Sequence, residues 1–466
     1  MLPFNPDFFP TREGVFIVGG SVRDILLGNS PLDYDIAVAG DARAFAADLA
    51  SACNGRLVAL GQKDKAVFRV VKDTYTFDIV PLFGATLSAD LGRRDFTVNA
   101  MAYDLATGKI IDPFDAQSDL SARQIRLVSD RAFKEDPLRL LRAYRIGALL
   151  DFEIDPATRR AAQRDAHLIT ASAGERIQAE LIKLLGTPHS HAYITKMSED
   201  RLLDEMIPEI SDLRGCIQNE HHQFDVLEHT LAAYWHLETL LNQPEGSLSR
   251  TGSQVRSHLN SEKIANLKCA LLLHDIGKPV SKTVDRQNRI HFYGHGQKSA
   301  DQAVRICLRL KFSRRAVKYI EFIIRNHLRL LFLFVASQKQ DLKRKGLVRF
   351  FRKCGQLTPD LLLHTMADIM GKSRTSTQRD ADFIDFAREL LHVFFKEYEP
   401  QATLPPLITG RDLKQELHLR PSPLFKLILK RVEEARLSGQ IKTRPEALAL
   451  AQWIGSQSNA SRNPSD

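Results

Sequence analysis

Stretches typical of β-strands are confined to the first 125 residues of this 466-residue chain. There, short runs rich in Val, Ile, Phe and Tyr surround one amphipathic helical stretch, DARAFAADLASAC; the runs are GVFIVGG, DYDIAVAG, RLVAL, AVFRVV and YTFDIV. From about residue 130 the apolar spacing becomes helical almost throughout, as in EDPLRLLRAYRIGALL. We therefore expect an α+β protein in which a small mixed sheet with helices is followed by a long, mostly α-helical part.

The composition is that of a folded globular protein with an excess of positive charge. Hydrophobic residues make up 44% of the chain and charged residues 26%. Lys and Arg exceed Asp and Glu by 65 − 56 = 9. This excess fits a polyanionic partner, with nucleic acid the leading candidate, and it fits ordinary solubility equally well. The choice between the two therefore rests on motifs.

The cysteines and the apolar runs bear on the cellular compartment. The five cysteines are far apart and form no C-x-x-C pair, which favours reduced thiols in a cytoplasm over a disulfide framework or a zinc knuckle. The start, MLPFNPDFFP, lacks the basic and apolar regions of a signal peptide. No apolar run approaches the roughly 18 residues of a membrane span. We expect a cytoplasmic protein with no membrane partner.

Two aspartates stand two residues apart in the strand-like stretch LDYDIAV. Alternate residues of a strand point to the same side, so Asp33 and Asp35 are expected to project together. Carboxylates are ligands that Mg²⁺ prefers, and two such ions can activate a hydroxyl and stabilise leaving pyrophosphate. Gly19 and Gly20 follow the strand VFIV, where the backbone can approach a triphosphate and Arg23 adds a cation. Either feature alone is typical of a plain turn or of surface acids; together they indicate metal-dependent nucleotidyl transfer.

Three motifs occur in a fixed order: GGSVRD with LDYDIAV, then RRDFTVNAMAYD at 93–104, then EDPLRLLRAYR at 135–145. Over roughly residues 14–185 they resemble the class II tRNA nucleotidyltransferase and bacterial poly(A) polymerase family. The segment SAGERIQAELIKLL at 172–185 resembles that family's neck helix. The resemblance implies a polymerase-β-like nucleotidyltransferase head that uses Mg²⁺, ATP and CTP and acts on the 3′ end of tRNA or other RNA.

The family's functional residues fall on matching positions of this sequence. The resemblance implies that Asp33 and Asp35 are the catalytic Mg²⁺ ligands. It also implies that Asp95 and Asn99 order the RRDFT loop, to which they belong. It assigns the contacts to the incoming nucleotide to Gly20, Arg23, Arg94, Asp136, Arg139, Arg142 and Arg145.

The spacing of the last group supports its assignment. Asp136, Arg139 and Arg142 are three residues apart and would share a broad helix face. A carboxylate acceptor and a guanidinium fork can pair with the Watson–Crick edges of both C and A, so Asp136 and Arg139 are expected to read the base. Asp78, in TYTFDIVPL, is either a third carboxylate near the metals or an ordinary acid near a strand end, and the sequence leaves both open.

A second group of candidate ligands lies in the helical part. LLLHDIGKP places His274 and Asp275 at the end of an apolar helix and resembles the HD phosphohydrolase superfamily. The resemblance implies a divalent metal such as Ni, Mn, Fe or Co, with a second metal or a substrate phosphate beside it. The expected metal ligands are His229, His274, Asp275 and Asp368, and the supporting residues are His295 and His327. The site is expected either to hydrolyse phosphoesters, as a phosphatase or 2′,3′-cyclic phosphodiesterase, or to belong to an RNA-binding body without hydrolysis.

The domain organisation follows from these motifs. We expect a nucleotidyltransferase head at 1–125, a helical neck that binds nucleotide and RNA at 126–212, an HD domain at 213–375 and a basic helical region at 376–466. A polar stretch at 241–262 is expected to be a loop, and the end of the chain from about 455 to be disordered. Two basic segments, 337–353 and 424–444, are expected to contact the tRNA backbone.

The leading hypothesis is a template-independent RNA nucleotidyltransferase that adds C or A, or both, to the 3′ end of tRNA. A poly(A) polymerase and an enzyme that adds only A or only CC share every motif named above and stay open. A phosphohydrolase acting mainly through the HD site and a catalytically silent RNA-binding protein are the alternatives from other classes. The sequence does not indicate an oligomeric state.

Overall fold

The structure is a computed structural model that describes residues 9–10, 12–61, 67–84, 86–218 and 223–460. The chain folds into two compact units, Met1–Pro208 and Glu209–Asp466. Among the described residues, no helix combines the length and the apolar character needed to cross a membrane. The five cysteines are buried and carry free thiols.

The first unit is built on a seven-stranded mixed sheet with the strand order β3-β4-β5-β2-β1-β6-β7. Neighbouring strands are antiparallel except for β2 and β5, which are parallel. A second pair, β8 and β9, is also parallel. The strands are β1 (Val15–Val18), β2 (Asp33–Val38), β3 (Arg56–Leu60), β4 (Val67–Lys72), β5 (Tyr75–Pro81), β6 (Ala102–Asp104), β7 (Ile110–Ile111), β8 (Gln124–Ile125) and β9 (Glu153–Ile154). The sheet predicted within residues 14–125 is confirmed.

Strand β2 has the alternation that the sequence predicts. Tyr34 and Ile36 are buried in the core, where the ring of Tyr34 stacks on that of Phe77 with centroids 5.5 Å apart. Asp33 and Asp35 alternate with them and are exposed. Because side chains of a strand alternate between its two faces, the buried pair holds both carboxylates on the opposite, solvent-facing side.

Ten α-helices complete the first unit in its described part. Helix α2 begins after Asp41, whose side chain accepts a hydrogen bond from the Ala44 backbone N–H at 3.0 Å and so caps the helix. Helix α6 packs against α8 and α9 through a fully buried apolar face. The helices are α1 (Gly20–Leu26), α2 (Ala42–Ala52), α3 (Leu87–Gly92), α4 (Ala116–Ser121), α5 (Ala132–Glu135), α6 (Leu138–Leu150), α7 (Pro156–Asp165), α8 (Gly174–Leu185), α9 (Ser190–Glu199) and α10 (Leu202–Met206).

In its described part, the second unit is helical apart from one hairpin, formed by β10 (Lys282–Val284) and β11 (Ile290–Phe292). Its central helices α11, α14, α15, α16 and α19 pack on one another. The helices are α11 (Val226–Asn242), α12 (Pro244–Leu248), α13 (Gly252–His258), α14 (Ser261–Leu273), α15 (His295–Arg309), α16 (Arg314–Asn326), α17 (Arg329–Gln338), α18 (Arg344–Cys354), α19 (Thr358–Met370), α20 (Gln378–Val393), α21 (Glu399–Thr403), α22 (Gly410–Gln415), α23 (Pro423–Leu437) and α24 (Arg444–Ala460).

Short helical segments of other kinds join these elements. The 3₁₀-helices are Thr97–Asn99, Ala166–Ala171, Pro208–Leu213, Ser249–Thr251, Pro279–Ser281 and Gly355–Leu357, and Phe394–Tyr398 forms a π-helix. The expectation of an α+β head followed by a helical remainder is confirmed.

The loop predicted at 241–262 is wrong, because this stretch is almost entirely helical. Pro244 stands at the start of α12, where a helix tolerates proline. Leu248 and Val255 are buried and anchor α12 and α13, while a two-point contact between Arg256 and Glu245 joins the two helices. The sequence pattern did not predict these helices, because the stretch has few apolar residues at buried positions in an otherwise polar, Gly- and Ser-rich composition.

The disorder predicted from about residue 455 is wrong up to Ala460, where α24 ends. Ile454 is 2% exposed and joins Leu413, Ile428 and Val432 in a C-terminal apolar cluster. This burial stabilises the helix beyond the point where its composition becomes polar. The rest of the predicted disordered segment, 461–466, lies outside the described residues.

Gly147 lets α6 and α9 approach closely, which provides a test of this packing. An alanine Cβ at Gly147 would lie 2.5 Å from the Tyr193 ring edge and 3.1 Å from the Phe152 carbonyl oxygen. We therefore expect Gly147→Ala to destabilise the first unit by about 1–3 kcal/mol, measured by urea unfolding followed by circular dichroism. The matched control is Gly92→Ala, whose Cβ would meet only the Phe114 ring at 3.4 Å. Equal unfolding midpoints for the two variants would contradict the packing described.

Candidate active site and metal centre

The exposed carboxylates of β2 lie next to a third carboxylate on β5. In the parallel register Asp35 is paired with Asp78, and Asp33 with Thr76. Partial burial raises the pKa of Asp35, and repulsion from Asp78 and Asp33 adds to this effect against the attraction of Arg94. A divalent cation would relieve the repulsion, so the pair has the electrostatics of a cation site.

Asp78, whose role the sequence left open, already has a cationic partner. Arg69 on β4 donates two hydrogen bonds to its carboxylate, from Nε and Nη2, each at 2.7 Å. The pair is of the planar, two-point kind that fixes a carboxylate's orientation. Asp78 therefore lies beside Asp35 with its charge largely balanced by Arg69.

The Gly19-Gly20 turn lies against Asp35 and two guanidinium groups. Gly19 has φ +83°, and a Cβ there would lie 2.7 Å from Arg94 Nη1 and 3.2 Å from Asp35 Oδ2. A Cβ on Gly20 would lie 3.2 Å from Arg23 Nη2. Glycine is required at residue 19 by both its backbone angle and this crowding. Gly19 thus adjoins the Asp35 carboxylate and Arg94, and Gly20 adjoins Arg23, an arrangement that can hold a metal–triphosphate complex.

Asp95 and Asn99 connect the RRDFTVNA segment to two other motifs. Asp95 is 6% exposed; it accepts hydrogen bonds from Arg142 Nε at 2.8 Å and Nη2 at 2.5 Å, and from Asn99 Nδ2 at 2.9 Å. Asn99 Oδ1 in turn accepts from Arg23 Nη1 at 2.6 Å. Burial works against the charged form of Asp95, but Arg142 and Asn99 outweigh it, so its pKa is lowered and the carboxylate stays ionised at neutral pH.

The two residues expected to read the base lie at the start of α6. The spacing predicted that Asp136 shares the helix of Arg139 and Arg142, and this is wrong: Asp136 is extended and precedes the helix. The reason is Pro137, because a residue before proline avoids the helical region. Arg176 of α8 donates to both oxygens of Asp136, at 3.2 and 2.8 Å. Arg139 Nη2 donates to the Arg93 carbonyl oxygen at 2.5 Å. Both side chains are thus oriented by neighbours before any base is present.

Arg142 and Arg145 meet a buried glutamate on α8. Arg145 Nε donates to Glu180 Oε2 at 2.5 Å, and Arg142 Nη1 lies 3.7 Å from Glu180 Oε1. Burial and the neighbouring Arg142 lower the pKa of Arg145 despite this glutamate. Glu180 therefore holds the two arginines at the junction of α6 and α8.

Sequence reasoning missed three residues of this site. Arg176 and Glu180 lie in the segment that resembles the neck helix, and their charges at an i, i+4 spacing look like an ordinary surface pair. Asp90, one turn before Arg94, is 1% exposed and binds Arg94 Nη2 at 3.4 Å. Nothing in the residue pattern distinguishes Asp90 from an exposed acid of a short helix.

The structure brings all six residues predicted from the HD motif into one buried cluster in the second unit. Around a first point, His229 Nε2 lies 3.0 Å from Asp368 Oδ1, and His274 Nε2 lies 3.1 Å from Asp275 Oδ2. Around a second point gather Asp275, His295 and His327, with His295 Nε2 3.5 Å from Asp275 Oδ1. The spacing of the donor atoms allows one cation in each group, with Asp275 between them.

The four histidines are oriented in the same way by the backbone. Each Nδ1 lies near a carbonyl oxygen: His229 near Gly371 at 3.1 Å, His274 near Leu271 at 2.7 Å, His295 near Phe292 at 2.8 Å and His327 near Ile324 at 2.6 Å. A carbonyl accepts only, so Nδ1 carries a proton and Nε2 is the ring nitrogen that faces the cluster. Histidines that bind metals are typically oriented by such contacts.

The electrostatics also fit a bound cation. Burial favours a neutral His274, but Asp275 and Asp368 outweigh it and raise its pKa to about 10. Burial together with His274 lowers the pKa of His327 to about 4, so His327 is a neutral donor. Two buried carboxylates that attract positive charge, surrounded by imidazole nitrogens, form a donor set suited to a divalent transition metal.

A seventh buried residue, His364, was missed from the sequence. It stands one helical turn before Asp368 on α19, and its ring lies 5.3 Å from that of His274 and 6.0 Å from that of His327, measured between centroids. Neither ring nitrogen forms a hydrogen bond within the described ranges. The i, i+4 spacing of His364 and Asp368 is the signal that could have found it.

A cavity of about 600 Å³ opens onto the second group of ligands. Its lining combines cations with aromatic and apolar groups, among them Lys278, Lys372, Arg379, Phe292 and Tyr293. Lys278 Nζ lies 2.6 Å from Asp275 Oδ2, at the edge of the metal cluster. The cavity thus has room and positive charge for a phosphoester beside the cluster.

Three family models match the chain in order. Residues 15–126 match the poly A polymerase head domain, 151–213 the probable RNA- and SrmB-binding site of polymerase A, and 226–345 the HD domain. These models define a nucleotidyltransferase that carries an HD domain. Nucleotidyltransferase heads and HD domains both generally bind divalent metals.

Full-length relatives give the same result. The chain is 33% identical to the A-adding tRNA nucleotidyltransferase of Deinococcus radiodurans, covering 96% of this chain and 97% of the relative. It is 31% identical to the CC-adding tRNA nucleotidyltransferase of Synechocystis sp., covering 97% and 96%. The Thermotoga maritima CCA-adding enzyme complexed with tRNA shares the fold, with a TM-score of 0.62 at 20% identity over 95% of this chain and 91% of that one. The chain belongs to the tRNA nucleotidyltransferase family, as the three motifs predicted.

The donor set of the second unit predicts tightly bound metal. We expect His274→Ala to lower the content of divalent transition metal, measured by plasma mass spectrometry after dialysis, because the first group loses a ligand facing two carboxylates. The control is His258→Asn, at a partly buried histidine of the second unit, which pairs with Asp360 at 2.6 Å outside the cluster. Equal metal content in the wild type and the His274→Ala variant would contradict the assignment.

Proposed function

We propose that this protein adds C or A, or both, to the 3′ end of tRNA from CTP and ATP without a template. The observation that carries the proposal is the meeting of the Asp35 carboxylate, the Arg94 guanidinium and the Gly19 backbone at one point. The names of the relatives, A-adding and CC-adding tRNA nucleotidyltransferases, support the choice of substrates. The domain limits expected from the sequence are part of the same proposal.

Asp33 and Asp35 would hold the Mg²⁺ ions of the head. Bound there, the ions would supply the Lewis acidity that nucleotidyl transfer needs. The chain's own groups do the positioning: Arg94 and Arg23 neutralise the triphosphate at the glycine turn, and Asp95 keeps the loop of Arg94 in place through Asn99. The RNA 3′ oxygen attacks the α-phosphorus, the bond to the bridging oxygen of the β-phosphate breaks, and pyrophosphate leaves.

Base selection would come from Asp136 and Arg139. Cytosine and adenine both present an amino donor next to a ring-nitrogen acceptor, and the carboxylate of Asp136 accepts from the first while Arg139 donates to the second. The contact of Asp136 with Arg176 and that of Arg139 with the Arg93 carbonyl restrain both side chains. Gly20, Arg142 and Arg145 belong to the same proposed nucleotide site.

The tRNA body would be held through its phosphates by the two basic segments of the second unit. These segments fall largely on α18 and α23, which pack on each other. Buried Glu434 pairs with Arg352 at 3.1 Å and lies 3.6 Å from Arg349. The remaining lysines and arginines of both helices supply positive charge for sequence-independent phosphate contacts.

A second candidate function is favoured by the HD cluster and its cavity. Phosphoester hydrolysis there, as a phosphatase or cyclic phosphodiesterase, would use His229, His274, Asp275 and Asp368 to hold a metal such as Ni, Mn, Fe or Co. His295, His327 and Lys278 would orient the substrate phosphate. This activity would be additional to nucleotide transfer.

One pair of variants separates the two activities. We expect Asp35→Asn to lower incorporation of labelled nucleotide into tRNA by at least about a hundredfold, because the metal site loses a charged ligand. His274→Ala keeps the wild-type rate of incorporation. Asp48→Asn, an exposed aspartate of α2, is the matched control. Wild-type incorporation by Asp35→Asn would overturn the proposed mechanism.

Which bases the protein adds is tested with different RNA substrates and nucleotides rather than with variants. Purified protein is given CTP, ATP or both with Mg²⁺, on tRNA that ends at the discriminator base, on tRNA that ends in CC and on an unstructured RNA. We expect a defined addition to tRNA that then stops: CCA for the complete enzyme, CC alone or A alone for one of its partial forms. Long A tails on every RNA would instead identify a poly(A) polymerase.

A further inference from the structure

An aromatic side chain near the proposed active site is open to solvent. Phe83, two residues after β5, is 54% exposed. The guanidinium of Arg93 lies over its ring, with Cζ 4.2 Å from the centroid, and Arg93 is itself 52% exposed. The guanidinium therefore covers one face of the ring, and more than half of each side chain stays open to solvent. We term this stacked pair the Phe83–Arg93 platform.

A buried carboxylate holds the platform in place. Asp90 accepts a hydrogen bond from the Phe83 backbone N–H at 3.1 Å and forms an ion pair with Arg93 Nε at 3.5 Å. Its other oxygen lies 3.4 Å from Arg94 Nη2. Asp90 is 1% exposed, so its carboxylate is itself held in place and links both arginines to the Phe83 backbone. The platform is therefore a built part of the site and not a loose surface side chain.

The platform is continuous with the proposed nucleotide site on two sides. Arg94 Nη1 reaches the Gly19 turn beside Asp35. The Arg93 carbonyl oxygen accepts a hydrogen bond from Arg139, one of the residues proposed to read the base. The platform is thus connected, through Arg93 and Arg94, to the residues that would bind a nucleotide reacting at Asp35.

We propose that the Phe83–Arg93 platform stacks the base of the 3′-terminal nucleotide of the acceptor RNA. The proposal rests on the proposed transfer reaction and adds the position of its acceptor. Bases stack on aromatic rings and on guanidinium planes, and an arginine also balances the phosphate charge of the strand. Asp136 and Arg139 already account for the base of the incoming nucleotide, so the platform is left for the acceptor.

Stacking suits an acceptor end that changes with every addition. Each base has a π-face, so a stacking platform binds the strand without choosing its sequence. A hydrogen-bonding pocket would favour one terminal base and would oppose the step that follows its addition. The platform therefore holds the acceptor, while the choice of base stays with Asp136 and Arg139.

The test uses tRNA whose 3′-terminal base is 2-aminopurine, a fluorophore that is quenched when it stacks. Binding to the wild type and to Phe83→Tyr is expected to quench the fluorescence, and binding to Phe83→Ala is not. The KM for tRNA rises roughly 5- to 150-fold in Phe83→Ala, the loss of one base–aromatic stack, while the KM for CTP and ATP stays unchanged. Leu149→Ala, a residue of the same unit that is also 54% exposed, is the matched control and behaves as the wild type.

Equal quenching by Phe83→Ala and the wild type would overturn the proposal, as would a rise in the nucleotide KM as large as that for tRNA. Thermal melting of Phe83→Ala at the wild-type temperature establishes that the variant is folded. The quenching requires binding only. Quenching that depends on Phe83, in a protein that incorporates no nucleotide, would support the platform while rejecting the transfer reaction.

Discussion

The buried carboxylate of Asp95 accepts hydrogen bonds from α6 and from two residues of its own loop. Arg142 approaches it from α6, Asn99 from its own loop, and the Phe96 backbone N–H from the adjacent residue. Through Asn99 the contacts extend to Arg23. An ionised group without these donors would be costly to bury, so the loop of Asp95 and α6 have to meet at this point, with α1 joined to them through Arg23. The orientation of the proposed nucleotide site depends on that meeting.

The cluster of candidate metal ligands in the second unit also contains buried carboxylates, but here they outnumber the cations beside them. Asp275 and Asp368 face imidazole nitrogens whose orientation is set by backbone carbonyl oxygens. Lys278 offsets part of the negative charge, and a divalent cation would balance the remainder. Close packing is needed to bring the ligands together: Gly371, at the end of α19, has no room for a Cβ beside the Ala233 backbone of α11.

Residues whose chemistry is tied to a local motif could be predicted from the sequence. Asp33 and Asp35 share a strand face because side chains alternate, and His274 with Asp275 ends an apolar helix. Asp90 and Glu180 could not be found in this way. Glu180 becomes important only through Arg145 of another helix, and Asp90 only because folding buries it against Arg94 and the Phe83 backbone N–H. The failed loop prediction at 241–262 has a similar cause, since two buried apolar side chains decide its helices.

Strand and helix content, the order of the motifs and the kinds of ligand available follow from local patterns, which the chain carries in any conformation. The partners of the charged side chains do not, because arginines and acids far apart in the chain are interchangeable until packing selects the pairs. In the folded chain Arg93 lies over the exposed ring of Phe83, while the adjacent Arg94 lies beside Gly19. Adjacent residues of one type thus acquire different environments, and only the packed structure assigns them.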